Sequence, residues 1–335
     1  MKIAIFEVQK WKQEFLRDGL PDHEIIFFEE PLSEENVEKA KDAEAISVFI
    51  YSKVKKETIE RLPKLKFIAT QSTGFDHIDV EHCKEKGIGV ANVPHYGENT
   101  VAEHTFALIL ALSRNVHKSY LRTSGGDFSI EGLKGFDLKD KTLGVIGTGK
   151  IGLHVIRMAK GFGMHVKAFD VQTDNFLSEV LHFEYAPLDE VLATSDIVSL
   201  HVPYNKNTHH LINKENIMKM KKGALLINTA RGGVVDTDAL FDALDEGYIG
   251  GAALDVLEGE ELLLDEKQML YYKEDNDKLR ELVRNEQILK RDNVVFTPHI
   301  AFYSQEALER ILNTTAENLR AFSEGVAINT VGGAG

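Results

Sequence analysis

Short apolar runs rich in β-branched residues recur along this chain, and helix-like polar segments separate them. This repeat predicts parallel strands joined by crossover helices, because antiparallel neighbours need only a tight turn between them. The runs of the second half are almost continuously apolar, which is typical of strands buried on both faces. The pattern therefore predicts two doubly wound α/β domains. The runs are 2–8, 24–28, 45–50, 67–71 and 87–93 in the first series, and 142–146, 164–169, 196–200, 224–227, 251–254 and 294–297 in the second.

Four further segments have the composition or spacing of helices. Segments 33–41 and 56–61 separate strands of the first series, and 101–112 is predicted to form a buried helix between the two series. Segment 305–323 is the last predicted helix. The charged stretch 261–292 is long for a loop between two strands, and two interpretations stay open. It is either a solvated excursion or a lid or subunit contact.

The charge and the cysteine content exclude several classes of function. The 335 residues carry 39 Lys and Arg against 53 Asp and Glu, and the net charge of −14 argues against nucleic-acid binding. No basic amphipathic face is evident, and the longest apolar stretch, 106–112, is too short to span a bilayer, so we expect no membrane association. Cys83 is the one cysteine, which excludes an internal disulfide and suits a reducing compartment. We expect a cytoplasmic protein without a metal centre.

A glycine-rich turn, GTGKIG at 147–152, follows the first strand of the second series and opens a helix. Gly147 permits a tight turn, Gly149 lets the backbone approach a pyrophosphate, and Gly152 lets the helix pack closely on the strand. Asp170 ends the next strand, where a carboxylate accepts hydrogen bonds from the ribose of NAD and repels the extra phosphate of NADP. The alternative is a nonbinding turn with a solvated aspartate. The strand–turn–helix context favours a dinucleotide site.

Three chemically useful side chains each follow a different strand of the second series: Arg231, Glu260 and His299. Because the carboxyl ends of parallel strands face the ligand crevice, these side chains could converge although they are distant in sequence. An arginine can bind a carboxylate through two hydrogen bonds, and a histidine with an acidic neighbour can donate or accept a proton. Together they predict reduction of a 2-oxo acid. The alternatives are a surface ion pair, a solvated glutamate and a turn histidine.

Six motifs spread along the chain carry a family resemblance. They are STGFDHID at 72–79, GTGKIG at 147–152, LHVP at 200–203, NTARGG at 228–233, DVLEGE at 255–260 and TPHIA at 297–301. Together they resemble the D-isomer-specific 2-hydroxyacid dehydrogenase family, and within it the D-lactate dehydrogenase branch, over nearly the whole chain. The resemblance implies a Rossmann NAD-binding domain, 101–299, inserted into a discontinuous flavodoxin-like substrate domain, 1–100 and 300–335. It also implies NAD as the cofactor, a small-molecule substrate and a homodimer.

The same resemblance implies roles for individual residues. Arg231 would orient the substrate carboxylate, His299 would be the acid/base, and Glu260 would tune it. The backbone N–H groups around Thr73 and Gly74 would also bind the substrate carboxylate. The residues implied to line the NAD site are Gly147, Gly149, Lys150, Ile151, Gly152, Asp170, Val202, Pro203, Thr208, Thr229, Ala230 and Asp255.

Aromatic residues suggest the substrate. VPHY at 93–96 and AFY at 301–303 are similar to the D-lactate dehydrogenase branch, so Tyr96 would lie beside the substrate and Phe302 would shape its pocket. Ordinary packing is the alternative for both. Tyr51 stands near a position where phosphoglycerate-type relatives often carry arginine, which argues against a phosphorylated substrate.

We therefore expect a D-lactate dehydrogenase activity, the reversible reduction of pyruvate. Within the same family, the alternative substrates are glyoxylate, a branched 2-oxo acid and a phosphoglycerate-type acid. A different class of function is an NAD-sensing regulatory protein on the same fold, because a fold does not determine a function.

Overall fold

A computed structural model describes residues 1–260 and 276–332 of the chain. The chain divides into two compact units, unit 1 (Met1–Tyr96 with Tyr303–Gly335) and unit 2 (Gly97–Phe302). The prediction of two parallel-sheet α/β domains is confirmed, and the unit limits differ by a few residues from those proposed on the sequence. Within the described ranges, no helix has both the length and the apolar character needed to cross a membrane.

Unit 1 is built around a five-stranded parallel sheet. Its strands are β1 (Lys2–Ile5), β2 (Glu24–Phe27), β3 (Ala45–Val48), β4 (Phe67–Thr70) and β5 (Gly89–Ala91), and its helices are α1 (Lys10–Gly19), α2 (Lys56–Glu60), α3 (Val80–Glu85) and, from the far end of the chain, α11 (Gln305–Ser323). The strand order is β2-β1-β3-β4-β5. Successive side chains of a strand point to opposite faces, so Ile3 and Ile5 pack with residues of α1 and α11, whereas Ala4 joins a second core.

Unit 2 is built around a seven-stranded parallel sheet. Its strands are β6 (Thr142–Ile146), β7 (His165–Phe169), β8 (Glu184–Tyr185), β9 (Ile197–Leu200), β10 (Leu225–Asn228), β11 (Gly251–Leu254) and β12 (Val294–Phe296). The described helices are α4 (Glu98–Ser113), α5 (Val116–Ser124), α6 (Lys150–Gly161), α7 (Asn175–Leu181), α8 (Leu188–Thr194), α9 (Thr237–Asp245) and α10 (Asn276–Leu289). The strand order is β12-β11-β10-β9-β6-β7-β8, so the chain reverses direction across the sheet between β6 and β9. Ligands of doubly wound sheets bind at such a reversal, beyond the carboxyl ends of the strands.

The structure departs from the predicted elements in two places. Segment 33–41 is helical only at Val37–Ala40, as a short 3₁₀ turn. The Asn36 side chain accepts the Ser33 N–H at 2.8 Å and donates to the Pro31 carbonyl at 2.7 Å, so a side-chain-closed turn replaces the expected helix. The two-residue edge strand β8 was not predicted. The predicted excursion 261–292 falls partly outside the described residues, at 261–275.

Candidate active site

The three predicted catalytic residues follow three neighbouring strands of unit 2. Arg231 follows β10, Glu260 follows β11, and His299 follows β12. These strands are adjacent and parallel, so their carboxyl ends lie at one edge of the sheet. Neighbouring strands are about 4.8 Å apart, which places the Arg231 and His299 segments two strand spacings from each other. The sheet order therefore brings these parts of the sequence to a common edge.

His299 and Glu260 are in direct contact. The Nδ1 atom of His299 lies 3.1 Å from Oε1 of Glu260, and the second oxygen, Oε2, accepts the Leu257 N–H at 2.9 Å. About a quarter of each side chain is exposed (24% and 27%), so the pair borders solvent without being surrounded by it. With Nδ1 engaged, Nε2 is the ring nitrogen that can exchange a proton with a ligand.

A buried carboxylate, Asp255, holds the backbone that carries His299. Its side chain is 1% exposed and accepts the N–H groups of Ile300 at 3.0 Å and Ala301 at 2.9 Å. Its own carbonyl accepts the His299 N–H at 2.9 Å. His299 has φ +53°, a left-handed conformation that a non-glycine residue keeps only when its surroundings impose it. Asp255, predicted as an NAD contact, therefore positions the segment that carries His299.

Two residues beside Asp255 were missed by the sequence reasoning. The Thr297 hydroxyl donates to Asp255, and Nε2 of His104 lies 3.0 Å from Thr297 Oγ1 and 3.4 Å from Asp255 Oδ1. His104 belongs to α4, where it lies between Glu103 and Thr105 in the polar first half of the helix. No signal in the sequence singles it out, because a sequence cannot show which strand a helical side chain faces.

The loop after β10 carries Arg231 and is called the Arg231 loop here, and the loop after β11 carries Glu260 and is called the Glu260 loop. The two loops lie directly against each other. Asn228 is 1% exposed and closes the turn before Arg231: its Oδ1 accepts the Ala230 N–H at 3.0 Å, and its Nδ2 donates to the Arg231 carbonyl at 2.9 Å. A Cβ atom at Gly232 would lie 2.3 Å from the Leu257 carbonyl carbon, so only glycine allows the two backbones to approach this closely. The Arg231 guanidinium donates to the Ala230 carbonyl at 2.7 Å.

The glycine-rich turn has the geometry of a pyrophosphate cradle. Gly147 has φ +97°, and a Cβ there would lie 2.6 Å from the His201 carbonyl oxygen. A Cβ at Gly152 would lie 2.0 Å from the Gly147 carbonyl oxygen, so the first turn of α6 packs on the loop. Gly149, at the N-cap of α6, has open space where its Cβ would be. Open space at a helix N-terminus fits an anionic pyrophosphate, so the residues present suit NAD.

Asp170 ties the glycine turn to the end of β7. Its Oδ2 accepts the Thr148 N–H at 2.6 Å and the Thr148 hydroxyl at 3.1 Å, while Oδ1 accepts the Gln172 N–H at 2.9 Å. The Tyr185 hydroxyl, on β8, lies 3.0 Å from Thr148 Oγ1. Carboxylate oxygens can accept more than one hydrogen bond each, so Asp170 keeps capacity for ribose hydroxyls. Tyr185 was not predicted as a site residue because the strand that carries it, β8, was not predicted either.

The other residues predicted to line the NAD site belong to the same unit, and several also serve the fold. The Thr208 hydroxyl donates to the Pro203 carbonyl at 2.6 Å and so closes its own loop. Thr229 is 8% exposed, and its hydroxyl lies 3.0 Å from that of Thr105. The remaining members of the set are Lys150 at the start of α6, Ile151 and Val202 packed partly on the cores, and Ala230 in the turn before Arg231.

His201 precedes Val202 and carries an imidazole that the acid/base chemistry does not use. Burial lowers the pKa of His201 to about 3. Its Nε2 lies 2.8 Å from the Ser199 hydroxyl, so the neutral ring has a hydrogen-bond partner. The ring therefore stays neutral near pH 7.

Three of the predicted substrate residues lie in unit 1, and Phe302 ends unit 2. Thr73 is held by its hydroxyl, which donates to the Val93 carbonyl at 2.7 Å. Within the part of the chain that is described, the N–H groups of Thr73 and Gly74 have no hydrogen-bond acceptor. The Tyr96 carbonyl accepts from Arg310 at 2.6 Å. Contact of these four residues with a substrate stays a prediction.

The chain is similar to known proteins along most of its length. Residues 106–301 match the family described as D-isomer specific 2-hydroxyacid dehydrogenase, NAD binding domain. The chain is 35% identical to the D-lactate dehydrogenase of Escherichia coli, with 97% of this chain and 98% of that protein covered. It is 37% identical to the glyoxylate reductase of Pyrococcus furiosus, with 96% and 87% covered. The crystal structure of an Aquifex aeolicus D-lactate dehydrogenase with NAD and lactic acid is similar, with TM-score 0.86, 42% identity and 96% of each chain covered.

Proposed function

Because this chain belongs to the D-isomer-specific 2-hydroxyacid dehydrogenase family and is an NAD-dependent oxidoreductase, we propose that it reduces pyruvate reversibly to D-lactate. The observation that carries this proposal is the contact between His299 Nδ1 and Glu260 Oε1, 3.1 Å apart, together with the close approach of the backbone at Leu257 to Gly232, the residue after Arg231. A proton donor and a carboxylate-binding group at one sheet edge match the needs of a 2-oxo acid. When bound, the cofactor would supply a hydride to the keto carbon in its reduced form, NADH, and would accept the hydride back in its oxidised form, NAD⁺.

Each catalytic side chain then has one task. Arg231 binds the substrate carboxylate, because its planar guanidinium can form two parallel hydrogen bonds and so fix the plane of the acid. His299 donates its Nε2 proton to the keto oxygen during reduction and takes it back during oxidation. Glu260 accepts a hydrogen bond from the Nδ1 proton and so orients the ring. Before reduction both ring nitrogens carry a proton, and after the Nε2 proton has moved to the keto oxygen the neutral Nδ1–H tautomer remains. The Leu257 N–H holds Glu260 itself at 2.9 Å.

Pyruvate is the preferred substrate in this proposal because a tyrosine, Tyr51, stands near a position where phosphoglycerate-type relatives often carry arginine. Tyr51, at the position where a phosphorylated substrate would call for a cation, is 51% exposed, and its N–H donates to Glu7 at 3.0 Å. Tyr96 and Phe302 are aromatic residues of the kind that suits a small apolar substituent such as the methyl group of pyruvate. The match to D-lactate dehydrogenases along nearly the whole chain supports the same choice.

Arg231→Ala tests the proposal through NADH oxidation with pyruvate, followed by absorbance. Losing a charged hydrogen-bonding partner of the substrate should lower kcat/KM by about a hundredfold or more. Arg157→Ala, an exposed arginine of the same unit, is the matched control and should behave as wild type. No turnover by the wild-type protein would instead favour an NAD-sensing regulatory role.

Substrate specificity is tested by a panel of 2-oxo acids at fixed NADH. The panel should include glyoxylate, because a glyoxylate reductase is among the relatives, together with a branched 2-oxo acid and 3-phosphohydroxypyruvate. We expect the highest kcat/KM with pyruvate. A preference for the phosphorylated acid would show that the assignment from Tyr51, Tyr96 and Phe302 is wrong.

We further propose that the protein is a homodimer in the cytoplasm. Large apolar side chains are exposed in one segment of unit 2, residues 116–130, and monomers seldom expose so many together. Those side chains are Val116 (54% exposed), Tyr120 (70%), Leu121 (69%), Phe128 (80%) and Ile130 (87%). A second copy of the chain is the proposed occupant of this surface. Cys83 supports the location, because a single free thiol suits a reducing compartment.

A further inference from the structure

Two consecutive histidines and a carboxylate come together beside the Glu260 loop, outside the predicted catalytic and cofactor residues. His210 Nε2 lies 2.8 Å from Glu258 Oε1. The rings of His209 and His210 are stacked with their centroids 3.9 Å apart. One potential ligand atom from each of the three residues lies within 4.8 Å of the other two. Two imidazoles and one carboxylate are a ligand set that catalytic zinc sites use.

The fold holds two of these residues in place. His210 has φ +48°, a left-handed backbone that is unfavourable outside glycine, and its N–H donates to the Gly233 carbonyl at 2.9 Å. The Glu258 carbonyl accepts from Asn285 at 2.9 Å, so the backbone of this residue is anchored as well. A strained backbone that places a ligand-type side chain on a carboxylate is a feature found at binding sites.

His209 is exposed but oriented by a neighbouring phenol. Its Nδ1 lies 3.2 Å from the Tyr204 hydroxyl, which leaves Nε2 as the nitrogen able to bind a metal. Metal-binding histidines generally have their second ring nitrogen fixed by such a partner. Tyr204 in turn packs on the backbone of Gly233, where a Cβ would lie 2.8 Å from its ring.

We propose that His209, His210 and Glu258 bind one Zn²⁺ ion, or the chemically similar Co²⁺ or Ni²⁺, with the fourth position open to water. Ligand atoms of a tetrahedral zinc site lie about 3.3 Å apart, given metal–ligand bonds of about 2.0–2.2 Å. The candidate ligand atoms now lie within 4.8 Å of one another, so the exposed His209 side chain must move inward on binding while its Nδ1 stays within hydrogen-bond reach of the Tyr204 hydroxyl. Mg²⁺ and Ca²⁺ are excluded as preferred ions, because they select oxygen ligands.

Metal binding would join two loops of unit 2. His209 and His210 follow β9, and Glu258 follows β11, two positions before Glu260. A shared ion would therefore restrain the segment that presents Glu260 and raise the melting temperature of the folded protein. This proposal does not depend on the identity of the substrate.

The test uses the full chain without a histidine tag, stripped of metal with a chelator and titrated with Co²⁺ while its visible absorption is recorded. We expect the bands of a tetrahedral site, saturation at one Co²⁺ per chain, and displacement by Zn²⁺. His209→Asn should weaken Co²⁺ binding by at least about tenfold, and Tyr204→Phe should weaken it to a lesser degree. His165→Asn, which removes an exposed histidine elsewhere in unit 2, is the matched control and should change nothing.

Circular dichroism of the metal-free proteins checks that each variant folds. Wild-type protein without tetrahedral cobalt bands would overturn the proposal, and so would His209→Asn protein that binds Co²⁺ as tightly as wild type. In either case the contact between His210 and Glu258 is a hydrogen bond that serves the loop alone.

Discussion

Asp170 illustrates how one side chain can serve both the fold and a ligand. Its two oxygens accept three hydrogen bonds from Thr148 and Gln172, so the carboxylate fixes the glycine turn before any cofactor binds. We propose that its negative charge adds selectivity for NAD, because a carboxylate disfavours the 2′-phosphate of NADP. These two contributions can be separated by changing the charge and the hydrogen bonds independently.

We expect Asp170→Asn to lower the kcat/KM ratio of NADH over NADPH by about tenfold or more, since repulsion of the phosphate is lost. The amide oxygen can still accept from Thr148, so activity with NADH should be retained better than in Asp170→Ala, which loses the turn contacts as well. Steady-state kinetics with both cofactors measures the ratio. An unchanged ratio in both variants would show that Asp170 does not contact the ribose.

His201 predicts an acid-sensitive fold. Burial lowers its pKa to about 3, whereas an unfolded histidine titrates near 6.5. Below about pH 6.5 the unfolded chain binds a proton that the folded chain excludes, so stability falls as the pH drops from about 6.5 towards 3. One such proton contributes a slope of at most about 1.4 kcal/mol per pH unit.

His201→Asn removes that contribution, although it also costs packing at every pH. Between pH 7 and pH 5 we expect the variant to lose about 2 kcal/mol less unfolding free energy than wild type loses. Urea denaturation at pH 7, 6 and 5 measures the two slopes. If the unfolding free energies of the two proteins changed with pH in parallel, His201 would bind its proton in the folded state over the same pH range as in the unfolded chain.

At the scale of an element, the start of helix α6 contains two glycines, one in open space and one in close contact with the backbone of the preceding turn. Gly152 is pressed against the Gly147 carbonyl, with only 2.0 Å available for a Cβ, whereas the Cβ position of Gly149 is open. Gly149 has φ −65°, which any residue can adopt. One glycine is therefore required by the packing of the helix, and the other leaves room for a ligand.

Alanine at each position should separate stability from cofactor binding. Gly152→Ala should lose about 1–3 kcal/mol of unfolding free energy, because the helix must shift away from the turn. Gly149→Ala should stay within about 0.5 kcal/mol of wild type and yet bind NADH about tenfold more weakly, because its methyl group takes the space of the pyrophosphate. Denaturation and NADH fluorescence titration give both quantities. Normal NADH binding by Gly149→Ala would place the pyrophosphate elsewhere.

At the scale of the whole molecule, the exposed apolar segment 116–130 predicts the oligomeric state. We expect light scattering to give twice the 37.5 kDa chain mass. The double change Leu121→Glu and Ile130→Glu puts two charges into that surface and should yield monomers, because burial of unpaired charge is costly. Val326→Glu changes an exposed residue of unit 1 (53% exposed) and should leave the mass unaltered. A monomeric wild-type protein would contradict the proposal.

Much of the fold could be predicted because its signals are local. Nearly continuous apolar runs predicted the strands from β1 to β7 and from β9 to β12 to within a few residues, and 305–323 was predicted as the helix that α11 forms. Strand β8 was missed because two residues carry no periodic pattern. The prediction of a helix at 33–41 was wrong because the Asn36 side chain hydrogen-bonds to nearby backbone groups that a helix would otherwise use. Helix propensity alone does not reveal this competition.

The sequence by itself determined which residues end the strands, and so placed Arg231, Glu260, His299 and the glycine turn among the candidates. Only the tertiary structure decided what they touch. His104, on helix α4, meets Thr297 across 193 residues of chain, and Glu258 meets His210 across 48, because the strand order and the packing of the helices bring distant segments to one edge of the sheet. Local residue preferences determine where strands and turns form, whereas contacts between loops depend on the order in which the strands assemble.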